Sequence, residues 1–472
     1  MEKKLQALLD LLPEKVVSGN PDKVITDITI DSRTVQPGSL FVALKGVHTD
    51  GQRFLGKAAR AGAAAALVED VPADAPADLT FIRVPDVRKA METVTPFFYD
   101  YPGKTMRMIG VTGTNGKTTS TNIIRRVLMQ AGYKCGLIGT INVLIGDEAL
   151  TSHNTTPDVA DLQKFLYRMK EAGCQYVVME VSSHALALNR VAGIEYDTAM
   201  LTNITEDHLN RHGTMEVYTE MKMRMFARQT PEDFAVFNAD DPGLRGLSRQ
   251  VRSRVLKFSR KKEVREGAFV RDGEIVLRLN GEERTVCRTE EVRIPGPHNL
   301  ENALGAVCCA GIMEVPVPVI RHTLKTFRGV EHRIESVRVL DGVEYFNDSK
   351  GTNVDSTLKA IETMTRPTVL ILGGYDKHVS FDPLSREIME RKDIIRETVL
   401  IGETAGQIEE SLLRAGYDHI QHAETLREAV VLCRQTAEEG WNVLLSPACA
   451  SFDMFKDYEE RGRIFKKIVA EL

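Results

Sequence analysis

MRMIGVTGTNGKTTSTNIIRRVLMQAG, residues 106–132, is the stretch on which the reading of the fold turns. A short apolar run leads into a polar, glycine-rich turn, and the turn opens an amphipathic helical pattern closed by Gly132. Glycines allow consecutive backbone N–H groups to curl around phosphate oxygens, and the helix N-terminus adds a favourable dipole. Within this P-loop-like turn, Gly113, Thr114, Asn115, Gly116, Lys117, Thr118 and Thr119 are the expected nucleotide contacts. Lys117 is expected to neutralise the β- and γ-phosphates and Thr118 to hold Mg²⁺. The spacing departs from the common pattern, because Val111 occupies the first-glycine position and Gly110 lies one residue earlier. Gly-Lys-Thr turns also arise by chance in loops; the strand before this one and the helix after it favour a nucleotide site.

Outward from this segment, apolar strands recur at YVVMEV (176–181), TAMLTNI (198–204) and DFAVFNA (233–239), separated by helical segments. That alternation predicts an open, mostly parallel sheet in an α/β fold. Residues 255–294 read as an antiparallel insert or edge, and a helix begins at HNLENALGAVCCAGIM (298–313). Upstream, short strands alternate with turn chemistry in ITDITIDSR (25–33), VQPG (35–38) and SLFVAL (39–44), and the alanine-rich FLGKAARAGAAAALV (54–68) reads as helical. The Pro-Gly turn of YDYPGK marks a boundary. After GVEHR (329–333), strands and helices alternate again: VEYFNDS, STLKAIETM, TVLILGG, ETVLIG, then NVLLSPA and a helix from Phe455. This last block lacks a G-x-G-x-x-G after its first strand, so it is not read as a dinucleotide site. The expected division is 1–102, 103–330 and 331–472.

Composition bounds the rest. A chain of 472 residues exceeds what one core supports. Its 61 basic and 66 acidic side chains give a net charge of −5, which argues against a general nucleic-acid binder. The N-terminal MEKKLQALLDLLPEKV lacks the apolar core of a secretory signal, and no run approaches a membrane span, so a cytoplasmic location is expected. Seven cysteines without a C-x-x-C pair point to reduced, buried thiols rather than disulfides or structural zinc.

GTNGKTT (113–119) resembles the P-loop variant of the Mur ligases and the related folylpolyglutamate synthetases. DSRTVQPGSLFVALKG (31–46), HNTTPDVADLQ (153–163), the long run from Met179 to Phe226 and PGPHNLENALGA (295–306) resemble the Mur ligase that adds the third residue of the muramoyl peptide. Folylpolyglutamate synthesis is disfavoured, because that family lacks the N-terminal uridine-binding block. The last 140 residues differ: the D-Y-A-H-T-P-D and D-N-P-R motifs of tripeptide-forming ligases are missing. FNDSKGTN (346–353), GGYDKHVSFDPL (373–384) and the run from Leu444 to Val469 resemble instead the D-glutamate-adding ligase. The resemblance implies a three-domain architecture: an N-terminal uridine-nucleotide-binding domain, a central P-loop ATPase-type domain with a mostly parallel sheet, and a Rossmann-like C-terminal domain that binds the amino acid. It also implies ATP and Mg²⁺ as cofactors, and a UDP-N-acetylmuramoyl peptide and a free amino acid as partners. ATP phosphorylates the peptide's terminal carboxylate, and an amine then attacks the acyl phosphate.

Several roles follow from that resemblance alone. Glu180 and His208 match Mg²⁺ ligands, and Lys222, four residues after Tyr218, matches a lysine that is carbamylated to supply another oxygen ligand. Bland readings stand beside these: a capping carboxylate, a structural histidine and a solvated helical lysine. Asn302, Arg333 and Asp348 match ATP contacts, although Asn302 also suits a helix cap. Asn154, Thr155, Thr156, Ser182 and Arg190 match residues that grip the muramoyl dipeptide, and Ile30, Ser32 and His48 match the uridine site. Thr352, Lys377, Ser451 and Phe452 align with a D-glutamate pocket; Lys377 is equally well a loop lysine. With the first two blocks ruling, the expected acceptor is UDP-N-acetylmuramoyl-L-alanyl-D-glutamate. With the third ruling, the reaction is D-glutamate addition to UDP-N-acetylmuramoyl-L-alanine. A non-catalytic nucleotide-binding regulator is the third reading, and the presence of Lys117, Glu180, His208 and Lys222 stands against it.

Overall fold

The computed structural model describes residues 1–46, 50–73, 76–146, 148–150, 154–205, 207, 209–376 and 379–472. The chain is an α/β protein that divides into two compact units, one comprising Met1–Thr289 with Glu301–Thr323, the other Glu290–Leu300 with Leu324–Leu472. Among the described residues no helix is long and apolar enough to cross a membrane.

The first unit carries a five-stranded sheet in the order Val16–Ser18, Thr80–Arg83, Ala65–Val68, Ser39–Val42, Asp27–Thr29. Its outermost pair at the Val16 end is antiparallel and the rest are parallel. One expectation is corrected here. The alanine-rich 54–68 stretch is not one helix: Leu55–Arg60 is helical, the chain turns at Gly62 with φ +92°, and Ala65–Val68 is a strand buried along its whole length. Alanine favours helices, but its small side chain also fits a strand covered on both faces, and tertiary burial decides.

The same unit holds an 11-stranded sheet built around the quoted segment. Arg107–Thr112 lies between Tyr176–Glu180 and Thr198–Leu201, parallel to both. The parallel run continues through Phe234–Asn238, Arg254–Ser259 and Gly267–Arg271. Arg254–Ser259 therefore belongs to the parallel set; within 255–294 the antiparallel pairing begins beyond Gly267–Arg271, with Glu274–Leu279 and Glu282–Arg288, and the opposite end of the sheet is antiparallel too. The outermost strand is exposed over Glu282–Thr285. Beside it Arg271 and Arg278 pair with Glu263 and Glu283. Helix Lys117–Gln130 packs Ile123, Ile124, Val127 and Leu128 against the sheet and ends ahead of Gly132, as its pattern predicts. A second core joins the small sheet to helix Val159–Glu171. Beside it, buried Asp27 accepts from Tyr99 Oη at 2.8 Å and from Lys164 Nζ at 3.0 Å.

The second unit is a six-stranded sheet in the order Glu335–Leu340, Val343–Asn347, Asn442–Leu445, Thr368–Leu372, Ile395–Leu400, Ile420–His422. All its pairs are parallel except the first. Its last helix spans Tyr458–Glu471 and so starts later than Phe455; Asp457 caps it, accepting from the Glu460 amide. Three neighbouring strands, Val343–Asn347, Asn442–Leu445 and Thr368–Leu372, end on loops that contain 348–353, 446–452 and 373–376. Open parallel sheets bind ligands outside such carboxyl ends.

Candidate active site

Two glycines shape the phosphate turn. Gly113 has φ +143° and Gly116 φ +86°, and a Cβ on either would collide, with Thr202 Oγ1 and Asn302 Oδ1 respectively. The loop is held from outside: Asn115 N donates to Asn203 Oδ1 at 2.9 Å, and Thr114 N to the Asn203 carbonyl at 2.9 Å. The Lys117 ammonium folds inward, donating to the Gly113 and Thr114 carbonyls at 2.8 and 2.9 Å. Thr118 is the buried first-turn hydroxyl, Thr119 is half-buried, and Asn302 sits beside the loop, accepting from Ser120 Oγ at 3.3 Å.

Glu180 gathers the neighbouring residues. Although only 1% exposed, it accepts from Thr118 Oγ1 at 2.9 Å, Thr140 Oγ1 at 2.9 Å and Thr140 N at 3.0 Å. Its backbone carbonyl accepts from Thr156 Oγ1 at 2.9 Å. Thr140 Oγ1 also reaches Thr155 Oγ1 at 3.1 Å. Ser182 N donates to Thr156 Oγ1, and Ser182 Oγ caps the helix Ser183–Ala187. Arg190 donates to the Thr156 carbonyl at 3.3 Å, while its Nε stands 3.5 Å from Asp158 without hydrogen-bond geometry. Thr118, Thr155, Thr156, Glu180, Ser182 and Arg190 thus meet in one place; Asn154 lies exposed at its edge. Thr140 is a member that the sequence reading missed, because a threonine after a strand carries no motif.

Lys222 is 1% exposed, and its Nζ lies 4.3 Å from the centroid of the Tyr218 ring. The Tyr218 hydroxyl is 3.1 Å from Thr114 Oγ1, which ties this helix to the phosphate turn. Burial, with the Lys117 charge acting in the same direction, lowers the Lys222 pKa to about 6. The amine is therefore neutral at physiological pH, as carbamylation requires. Ile30 and Ser32 lie just past the strand Asp27–Thr29, the first half-buried and the second buried. His48, His208 and Lys377 fall outside the described residues.

In the second unit, Asp348 accepts from Ser446 Oγ at 2.6 Å and from Ile334 N at 3.2 Å. Complete burial raises its pKa to about 7 against these bonds and the nearby Arg333 charge. Among the described residues the Arg333 Nε is buried without a hydrogen-bond partner. Thr352 is half-buried, Ser451 is 2% exposed, and Phe452 is 66% exposed with its ring edge-on to Tyr375. Lys350, which the sequence reading did not single out, places its ammonium 3.6 Å from the Tyr458 ring centroid. Its signal was present inside FNDSKGTN, whereas the aromatic partner is distant in sequence.

A glycine-rich turn between a parallel strand and a helix N-terminus, beside a buried carboxylate, defines a P-loop nucleotide-binding protein of the α/β class. The chain belongs to the Mur ligase family: the Mur ligase family catalytic domain matches residues 24–99, the middle domain 111–310 and the glutamate ligase domain 332–449. It is 44% identical over 365 residues to a UDP-N-acetylmuramoylalanine–D-glutamate ligase of Pelotomaculum thermopropionicum, covering 77% of this chain and 75% of that one. It is 40% identical to the protein of that name from Thermoanaerobacter sp., covering 81% and 80%. In fold it is similar to a UDP-N-acetylmuramoyl-L-alanyl-D-glutamate–2,6-diaminopimelate ligase, with a TM-score of 0.71 at 23% identity over 100% of this chain and 99% of that one. A MurF ligase from Thermotoga maritima, solved in complex with ADP, gives 0.65 at 19% identity over 94% and 98%.

These relatives overturn the expectation of a tripeptide-forming ligase acting on the muramoyl dipeptide. Eight relatives that are 37–44% identical all carry the D-glutamate ligase name. The expectation rested on the motifs of the first two blocks, from 31–46 to 295–306; the motifs of the third block, 346–353, 373–384 and 444–469, resemble the D-glutamate-adding ligase and agree with these relatives.

Proposed function

We propose that this chain is an ATP-dependent ligase that joins D-glutamate to UDP-N-acetylmuramoyl-L-alanine. The observation that carries the reading is the 37–44% identity to ligases of that name across three quarters or more of both chains. The working division is 1–102 for the uridine nucleotide, 103–330 for ATP and 331–472 for the amino acid, in a cytoplasmic enzyme.

In this reading a carboxylate oxygen of the alanyl residue attacks the γ-phosphorus and ADP leaves. The amine of D-glutamate then attacks the acyl carbon, releasing phosphate and a proton. The turn 113–119 presents backbone amides to the phosphates, and Lys117 supplies a fixed positive charge where negative charge develops. Arg190, Thr156 and Ser182 orient the acceptor; Ile30, Ser32 and His48 take its uridine. Asn302, Arg333 and Asp348 hold ATP, and Thr352, Lys377, Ser451 and Phe452 receive the amino acid.

Thr118 and Glu180 offer a hydroxyl and a carboxylate side by side, hard oxygen donors that fit Mg²⁺, which takes one or two carboxylates and completes its shell with water and phosphate. His208 and carbamylated Lys222 are the further proposed ligands. When bound, the ion neutralises phosphate charge and polarises the transferred group.

The test supplies ATP with each acceptor and each amino acid and follows phosphate release and product mass. D-glutamate is expected to be added to UDP-N-acetylmuramoyl-L-alanine. Turnover confined to the dipeptide acceptor would overturn the reading.

A further inference from the structure

We propose that Arg461 is a positioning residue that turns the Ser451 amide outward to receive a carboxylate of the incoming amino acid. The inference deepens the D-glutamate reading and rests on it.

Arg461 is the largest fully buried side chain of the described residues, at 1% exposure. Among those residues no carboxylate stands within ion-pair distance of it; Asp348 and Asp453 act on it only from beyond contact. Its acceptors are neutral. Nε donates to Ser349 Oγ at 2.9 Å and Nη2 to the Ser349 carbonyl at 2.8 Å. Nη2 also reaches the Cys449 carbonyl at 3.2 Å, and Nη1 the Ala450 carbonyl at 3.3 Å. A buried cation is ordinarily paired with an anion. Here burial lowers the guanidinium pKa only to about 10, so the charge persists at neutral pH.

The carbonyls it holds set the direction of the next amide. Among the described residues the peptide bonds are all trans, so C=O and N–H of one peptide unit point opposite ways. With the Ala450 carbonyl drawn inward by Arg461 and by Tyr375 N at 2.9 Å, the Ser451 N–H faces away. Ser451 is 2% exposed, yet among the described residues neither its amide nor its hydroxyl donates to any acceptor. Buried N–H groups without an acceptor are rare in folded proteins, and one beside a free hydroxyl invites an anion. The Ala448 backbone, at φ +60°, bends the loop into this shape.

The same guanidinium also braces Ser349, next to Asp348, and abuts the third loop. A Cβ on Gly374 would stand 3.3 Å from Nη1. One buried charge therefore fixes loops from three neighbouring strands.

Full-length Arg461→Lys and Arg461→Met are compared with wild type by steady-state kinetics, with circular dichroism and ATP binding as controls of folding. Losing a charge-assisted hydrogen bond of this kind costs roughly 10- to 100-fold in affinity. The KM for D-glutamate is expected to rise by that factor, further in Met than in Lys, while the KM for the UDP-linked acceptor stays within about twofold. Ser349→Ala, which removes one anchor, is expected to raise the same KM several-fold, and it decides the matter should both Arg461 variants fail to fold. A uniform fall in kcat with an unchanged amino-acid KM overturns the proposal. If wild type does not add D-glutamate at all, the function reading fails separately, and the KM comparison is made with whichever amino acid wild type adds.

Discussion

Lys222 offers the sharpest quantitative expectation. A solvated lysine with its pKa of 10.5 is neutral in about one molecule per thousand at pH 7.5. With its pKa at about 6, neutral amine outnumbers ammonium by about thirty to one at that pH, close to a thousandfold gain in the form that reacts with carbon dioxide. The gap between about 6 and 10.5 corresponds to about 6 kcal/mol disfavouring a charged amine at this position, an upper figure. The sign follows. Between those two pH values the unfolded chain binds a proton that the folded chain does not, so this contribution to stability grows as pH rises and is lost as pH falls toward 6. Wild type equilibrated with carbon-13 bicarbonate at pH 7.5 should show a carbamate carbonyl resonance that is missing in Lys222→Ala, and Lys222→Ala should lose activity. Short carboxylates in solution are expected to restore part of that activity. A wild-type spectrum identical to that of Lys222→Ala, or full activity in the variant, would refute the reasoning.

Lys117→Ala removes the ammonium that sits inside the phosphate turn, and phosphate release should fall on the order of 10²- to 10³-fold with the far-ultraviolet spectrum unchanged. Gly113→Ala places a methyl group against Thr202 at a φ of +143°, so binding of a fluorescent ATP analogue should be lost and the thermal midpoint lowered. Wild-type binding in that variant would show that the turn tolerates a side chain. Glu180→Gln keeps the shape and one acceptor oxygen for the Thr118 and Thr140 hydroxyls, loses the acceptor for Thr140 N and removes the charge. Its kcat should fall about 10²-fold or more, whereas a change in KM alone would argue against a role in the chemistry.

The phosphate turn and its helix were legible because their requirements are local: glycines where φ is positive, a lysine and threonine at the first helical turn, an apolar strand before. The alanine-rich 54–68 segment was misread because alanine suits both a helix and a fully buried strand, and only the neighbouring strands decide. Thr140 and Arg461 were invisible for another reason. Arg461 meets Ser349 across 112 residues of chain, and no spacing rule reaches that far. The acceptor was misjudged because the motifs of the first two blocks were taken to outrank FNDSKGTN, GGYDKHVSFDPL and the run from Leu444 to Val469 in the third. Lys222 could be placed on a helix from its neighbours, but its near-complete burial is a property of the packed unit.

The charged hairpin that ends the long sheet has a consequence for the protein in a crowded solution. An open sheet edge presents a row of unused N–H and C=O groups on which a strand from another molecule can dock and start an aggregate. Along Glu282, Glu283 and Arg284 such a guest would have to desolvate full charges in sequence. Glu283 keeps its charge down to pH of about 2, because the Arg271 and Arg278 guanidiniums hold its carboxylate ionised. An edge of this kind terminates the sheet chemically as well as geometrically, and discourages a strand of another molecule from extending it.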